Sequence, residues 1–205
     1  MKKCVIFCAG EFDGLVQPLD GLVIAADGGL RHTEALGIVP DVILGDFDSL
    51  GYTPEDSTVF PVEKDDTDAM LAVRRGLQMG CDDFVIYGGL DGPRLDHTVA
   101  MFQTLQFLAD NSATGCAVGN SCIAKVVKNG EICFPKMESG IISVFCMGGD
   151  AKGVRIKGLK YGLENGTLTA GFPLGVSNHF IGENANISVK DGSLLIIYPK
   201  EVGIL

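Results

Sequence analysis

The chain has no tryptophan, no Cys-x-x-Cys pair, no Gly-Lys dipeptide and no apolar run near the roughly 18 residues that a membrane span needs. Each absence closes a class. Without Gly-Lys there is no Walker A phosphate loop, and no G-x-G-x-x-G follows an apolar run to mark a dinucleotide site. Neither a G-x-S-x-G elbow nor an H-E-x-x-H zinc motif is present. Seven cysteines, an odd number with no Cys-x-x-Cys pair, argue against a disulfide framework and a zinc cage. They fit a reducing compartment instead. Bases are scarce, 16 against 26 acids, and the pI of 4.6 lacks the basic footprint of a nucleic-acid binder. Met1 to Phe7 runs directly into a strand-like stretch with no long apolar segment ending in small residues. The expectation is therefore no signal peptide, no membrane partner and a cytoplasmic location.

What the chain does hold is enough apolar residue, 46% of 205, to bury a large core or two small ones. Its charge is uneven. Residues 1–110 carry 19 acids against 7 bases, whereas residues 111–205 carry 7 against 9, as two regions with different tasks would. Fifteen of those 19 acids are Asp, the short carboxylate of caps, turns and hard-metal sites.

The first region alternates short apolar runs with helical periodicity. Residues 3–9, 21–26, 42–44, 58–62 and 84–87 read as buried strands. Met70, Val73 and Leu77 share one helical face, and Met101, Leu105 and Leu108 another. This alternation predicts a mainly parallel sheet covered by helices, with ligands at the C-terminal strand ends. From about residue 111 no helical period is sustained. Apolar runs at 122–127, 131–134, 141–146, 154–156, 167–170, 185–189 and 194–198 are separated by turn signals at 128–130, 148–150, 164–166 and 190–192. Asn-Gly and Asp-Gly there predict hairpins and a small all-β sandwich or barrel. The expected boundary lies between residues 111 and 130. The fold class is thus α/β plus all-β: a Rossmann-like N-terminal domain, then a β-sandwich or barrel.

Four clusters carry candidate chemistry, all in the acidic region. Ala26-Asp27-Gly28-Gly29 ends the second strand, where glycines let backbone approach a ligand or open a helix; an Asp cap with turn glycines would read the same. Gly45-Asp46-Phe47-Asp48-Ser49 ends the third. In extended chain Asp46 and Asp48 point to one side, where mutual repulsion invites a cation. Mg²⁺ is held by one or two carboxylates plus substrate phosphates. An Asx-turn with a Ser49 cap would use the same residues. Lys64-Asp65-Asp66-Thr67-Asp68 precedes a helix; Asp66 or Thr67 suits a cap, which leaves Asp68 as the ligand candidate. Gly88-Gly89-Leu90-Asp91-Gly92-Pro93-Arg94-Leu95-Asp96-His97 puts Arg94, the bidentate phosphate binder, and Asp96 beside one cleft, unless the two form only a surface pair. A carboxylate-lined cleft with one Arg is equipment for metal-assisted phosphate chemistry without a P-loop.

These motifs, A-D-G-G, G-D-F-D-S, D-D-T-D and G-P-R-L-D-H in this order and spacing, resemble the catalytic domain of the thiamine pyrophosphokinase family. Gly158-Leu159-Lys160-Tyr161, Val176-Ser177-Asn178 and the closing run 192–199 resemble that family's thiamine-binding β domain. The resemblance implies an ATP-binding catalytic domain at 1–120 and a thiamine-binding β-sandwich at 121–205. It implies pyrophosphoryl transfer from ATP to thiamine with Mg²⁺, giving thiamine diphosphate and AMP, in a homodimer whose active sites lie between subunits. Carried over by motif, Asp46, Asp48 and Asp68 would bind metal, and Arg94 and Asp96 would join them in catalysis. ATP would meet Asp27, Gly28, Gly29, Asp46, Arg94 and Asp96; thiamine would meet Tyr161, Ser177 and Asn178. A pyrophosphokinase for another alcohol, such as a hydroxymethylpterin, would share the first region, and a non-catalytic nucleotide or thiamine sensor is the other alternative.

Overall fold

The computed structural model describes residues 1–48, 50–61 and 65–203. The chain forms two compact units, Met1–Asn120 and Ser121–Leu205, and strands far outnumber helices among the described residues.

In chain order the first unit holds β1 (Lys3–Phe7), β2 (Leu22–Ala26), a 3₁₀ turn (Asp27–Gly29), α1 (Leu30–Ala35), β3 (Val42–Gly45) and β4 (Thr58–Val59). It continues with α2 (Asp68–Gln78), β5 (Asp83–Tyr87), α3 (Leu95–Asp110) and β6 (Thr114–Val118). The strands lie in the order β4-β3-β2-β1-β5-β6, and every pair is parallel. The central strands are buried nearly throughout, with Ile6, Ile24, Phe84 and Ile86 fully enclosed, as strands covered on both faces must be. Thr67 caps α2, its hydroxyl accepting the Met70 N–H at 3.2 Å. Met101, Leu105 and Leu108 form the buried face of α3, as their spacing predicts.

Several elements differ from expectation. β6 was not foreseen: its small residues Thr-Gly-Cys-Ala-Val make a weak strand signal, and pairing with β5 supplies the missing stabilisation. The strand expected at 58–62 is only two residues long among the described residues, and both are exposed at the sheet edge. Glu63 and Lys64, part of the acidic turn read from the sequence, lie outside the described residues, as does Ser49.

The sheet order positions the site. The chain steps outward from β1 through β2, β3 and β4, then returns to β5 on the other flank of β1. The connections from β1 and β5 therefore run on to opposite flanks of the sheet, the topological switch point at which open α/β sheets bind ligands beyond the C-terminal strand ends. Gly29 makes this junction tight: a Cβ there would run into the carbonyl of Phe7 at the end of β1.

The second unit is entirely antiparallel: β7 (Cys122–Lys128), β8 (Glu131–Phe134), β9 (Ile141–Lys157), β10 (Leu163–Leu168), β11 (Gly175–His179), β12 (Ala185–Ser188) and β13 (Asp191–Pro199). Here the turn signals mislead. Gly148-Gly149-Asp150 does not separate two strands but lies inside the 17-residue β9, with positive φ at Gly148 and Gly149. β9 pairs with β11 and β13 along its first half and with β10 and β12 along its second, so both halves find partners without a break. Asn165-Gly166 is likewise a register shift within β10, with Asn165 at φ 52°. Asn129-Gly130 does turn the chain, yet the strands it joins are not paired with each other; β7 pairs with β13, and β8 with β12. β11 went unread because Gly175, Ser177 and Asn178 are poor strand formers. Phe134 anchors the unit's core edge-on to both Phe180 and Tyr198.

Gly29→Ala should lower the stability of the first unit by on the order of 1–3 kcal/mol, because the clash is with backbone that cannot rotate away. Denaturant unfolding of the purified variant measures this, and an unchanged midpoint would mean that α1 does not dock under β1 as seen.

Candidate active site

Three carboxylates converge from two strand ends. Oxygen atoms of Asp27, after β2, and of Asp46 and Asp48, after β3, all lie within 4.8 Å of one another. The backbone that brings them there is unusual. Asp27 has φ 48° and Phe47 has φ 59°, both in the left-handed region that L-residues avoid. The extended-strand argument for Asp46 and Asp48 thus fails in its geometry: Phe47 turns the chain between them. Its ring is buried with Ala25, Leu30 and Leu50, and this burial holds the strained turn. The Asp48 N–H donates to Asp46 Oδ1 at 3.3 Å, so an Asx-turn and a carboxylate cluster coexist in the same residues. Asp27 is the most buried of the three and Asp48 the most exposed.

The cluster opens into a cavity of about 420 Å³ lined by all four sequence clusters. Asp68, the first residue of α2, lines it but stands outside the three-carboxylate group. Asp66 turns away to meet Arg74 at 3.0 Å. Arg94 lines the cavity; Asp96 does not, and instead holds the guanidinium through contacts of 3.2 and 2.5 Å. Both side chains are exposed, and the Arg94 guanidinium lowers the Asp96 carboxyl below the usual carboxylate value. Gly28 and Gly29 are buried beneath the site and are not among the lining residues. Cys8, Ala9 and Gly10, outside the four clusters, also line the cavity, as do Asp91 and His97, which the fourth cluster contains without a role. The signal of Cys8, Ala9 and Gly10 is positional, directly after β1, and no residue-type pattern marks them.

Cys8 is buried directly after β1. Burial, reinforced by the nearby Asp68 charge, pushes its thiol from the ordinary 9.0 up to about 12, so it stays neutral at physiological pH.

In the second unit Tyr161 is 58% exposed, with the Lys160 ammonium 5.4 Å from its ring centre. Ser177 is exposed at φ 57°, its N–H donating to Ser143 Oγ at 3.1 Å. Asn178, by contrast, is buried. Its Oδ1 accepts the Tyr161 and His179 N–H groups at 2.9 Å each, and its Nδ2 donates to the Tyr161 carbonyl at 2.7 Å. The side chain expected to touch thiamine is spent on backbone, bracing the segment that displays Tyr161.

Comparison with known proteins follows the same division. The thiamin pyrophosphokinase catalytic domain matches residues 19–116, and the thiamin pyrophosphokinase vitamin B1 binding domain matches residues 130–194. The chain belongs to the thiamine pyrophosphokinase family. It is 28% identical to thiamine pyrophosphokinase of Bacillus subtilis over 95% of this chain and 98% of that protein. The crystal structure of the Bacillus subtilis protein superposes with a TM-score of 0.85 at 25% identity, covering 97% of this chain and 99% of the other. The thiamin pyrophosphokinase of Candida albicans shares the fold, with a TM-score of 0.76 at 15% identity over 97% of this chain and 88% of that one. Among the described residues, no helix is long and apolar enough to cross a membrane.

Two outcomes follow from this geometry. Asn178→Ala removes the partner of three part-buried backbone groups, at about 1–3 kcal/mol for each that stays out of reach of water. Denaturant unfolding should show the second unit weakened, whereas Ser177→Ala should be nearly neutral. Because Cys8 ionises near 12 when folded but near 9.0 when unfolded, its share of stability is intact below pH 9 and is lost as pH rises toward 12. Between pH 8 and pH 10 the urea midpoint should fall less in Cys8→Ala than in the parent protein.

Proposed function

We propose that this protein transfers the pyrophosphoryl group of ATP to the hydroxyl of thiamine, releasing AMP and thiamine diphosphate. The observation that carries the reading is the Asp27–Asp46–Asp48 cluster opening into the cavity that Arg94 also lines. The family matches over both units support it. The first unit, read as a Rossmann-like domain, takes ATP at its strand ends, and the second, read as a β-sandwich or barrel, takes thiamine.

The donor set fits Mg²⁺: three hard carboxylates gathered within 4.8 Å repel one another, and a small dication relieves that repulsion. We assign the ion to Asp27, Asp46 and Asp48, with Asp68 nearby on the cavity wall. When bound, Mg²⁺ offsets the charge of the ATP phosphates. Arg94, oriented by Asp96, supplies a planar pair of donors for phosphate oxygens. The glycine loop after β5 lines the same cavity, where backbone without side chains leaves room for the phosphates. The thiamine hydroxyl oxygen attacks the β-phosphorus, and the bond from that phosphorus to the bridging oxygen of the α-phosphate breaks. The bridging oxygen leaves with AMP, and the alcohol proton passes to a cavity carboxylate. The cationic thiazolium is drawn by the acidic first unit, while Tyr161 offers a ring face and Ser177 a hydroxyl, both braced through Asn178 and β11. The homodimer with active sites between subunits belongs to this proposal through the family resemblance, and a cytoplasmic location through the cysteine usage.

The decisive experiment measures AMP release from ATP with thiamine and with a hydroxymethylpterin as acceptor. Thiamine-dependent AMP formation that requires Mg²⁺ is expected. Asp46→Asn and Asp48→Asn should each lose about 100-fold or more in kcat, the usual cost of removing a main electrostatic stabiliser, without loss of fold. Turnover of the pterin alone would replace the acceptor assignment, and tight ATP and thiamine binding with no turnover would make the protein a sensor.

A further inference from the structure

Between β1 and β2 the chain has no helix or strand, yet its first residues form a wall of the cavity. The Gly10 N–H donates to the Gly88 carbonyl at 2.9 Å, and the Glu11 N–H to the Asp91 carbonyl at 3.0 Å. The fit is close: a Cβ at Gly10 would lie 2.5 Å from both carbonyl oxygens. Asn120, at the end of the first unit, binds the same place, its N–H on Asp91 Oδ2 at 2.6 Å and its Nδ2 on Glu11 Oε2 at 3.1 Å. The loops after β1 and β5 thus form one hydrogen-bonded layer on one side of the cavity.

A second tie crosses to α1, the helix that begins directly after the Asp27 turn. His32 Nε2 lies 2.8 Å from the Gly10 carbonyl oxygen. A carbonyl only accepts, so Nε2 carries the proton. The imidazole also packs against Phe12 at 5.2 Å, and Phe12 meets Phe7 and Tyr87 edge-on at 5.7 and 5.5 Å. These rings pack the first part of the loop against the ends of β1 and β5, and the imidazole holds Gly10 within it.

We propose that His32 is a positioning residue for the nucleotide: it locks the Gly10 loop against the glycine loop Gly88–Gly92, so that the phosphate-binding wall is preformed before ATP arrives. His32 touches no substrate; it acts through Gly10. The inference rests on the assignment of ATP to this cavity. Preformed donors lower the ordering cost of binding, so His32 governs nucleotide affinity more than the chemical step.

His32→Ala and His32→Gln test this, since the Gln amide keeps an N–H donor at a similar reach. In the protein without ligand, the Gly10 and Glu11 amides should exchange hydrogen about tenfold faster in His32→Ala, with the β5 amides unchanged. The KM for ATP should rise about fivefold to tenfold with kcat and the KM for thiamine nearly constant, the effect of one hydrogen bond lost from binding. His32→Gln should return exchange and KM toward the parent values. Unchanged exchange in His32→Ala would overturn the proposal, as would parallel changes in kcat and both KM values, or a Gln variant as impaired as Ala. If the parent protein shows no ATP-dependent transfer to thiamine, the functional reading falls, while the exchange measurement still decides whether His32 holds the loop.

Discussion

Three aspartates of like charge held within 4.8 Å set the terms for the first unit. Left to itself, such a group would separate, since like charges repel. The protein opposes that with buried apolar contacts placed directly behind the acids. Phe47, between two of them, sinks into Ala25, Leu30 and Leu50, and Gly29 lets the turn that carries Asp27 tuck under the end of β1. The left-handed conformations of Asp27 and Phe47 are the residue of this compromise: local strain accepted because the surrounding core over-determines it.

The same division between display and support recurs in the second unit. Tyr161 is exposed, and the side chain that secures it, Asn178, is buried and saturated with backbone hydrogen bonds. In the first unit, Arg94 faces the cavity while Asp96 stands behind it. A sequence motif cannot tell the two kinds of residue apart, because both are polar, both are close in sequence, and each is useless without the other. The consequence for function is that lesions in the support residues act on stability or affinity, whereas lesions in the displayed residues act on chemistry or contact.

The sheet order matters as much as any side chain. The cavity exists because β5 returns to the flank of β1 opposite β2, so that loops from β1, β2, β3 and β5 meet over one edge. The hydrogen bond from His32 then joins α1 to the loop after β1.

Local patterning made much of this legible. The buried strands β1, β2, β3 and β5 announced themselves through continuous apolar runs, and α2 and α3 through their periodic faces, because burial demands apolar residues at fixed intervals. The acidic and glycine-rich motifs named Asp27, Asp46, Asp48, Asp68 and Arg94 as residues of one crevice, since strand ends in parallel sheets converge. What the sequence alone determined was therefore the kinds of element and the chemical character of their ends. Tertiary structure decided the rest. It made β6 a strand by giving its weak sequence a partner, carried β9 through a glycine pair that reads as a turn, and left Asn129-Gly130 joining strands that do not pair. It also separated the acids that cluster from Asp68 on the wall and Asp96 behind Arg94. These outcomes depend on which neighbours, distant in the chain, compete for each backbone hydrogen bond and each buried surface, and that competition is settled only when the whole unit has packed.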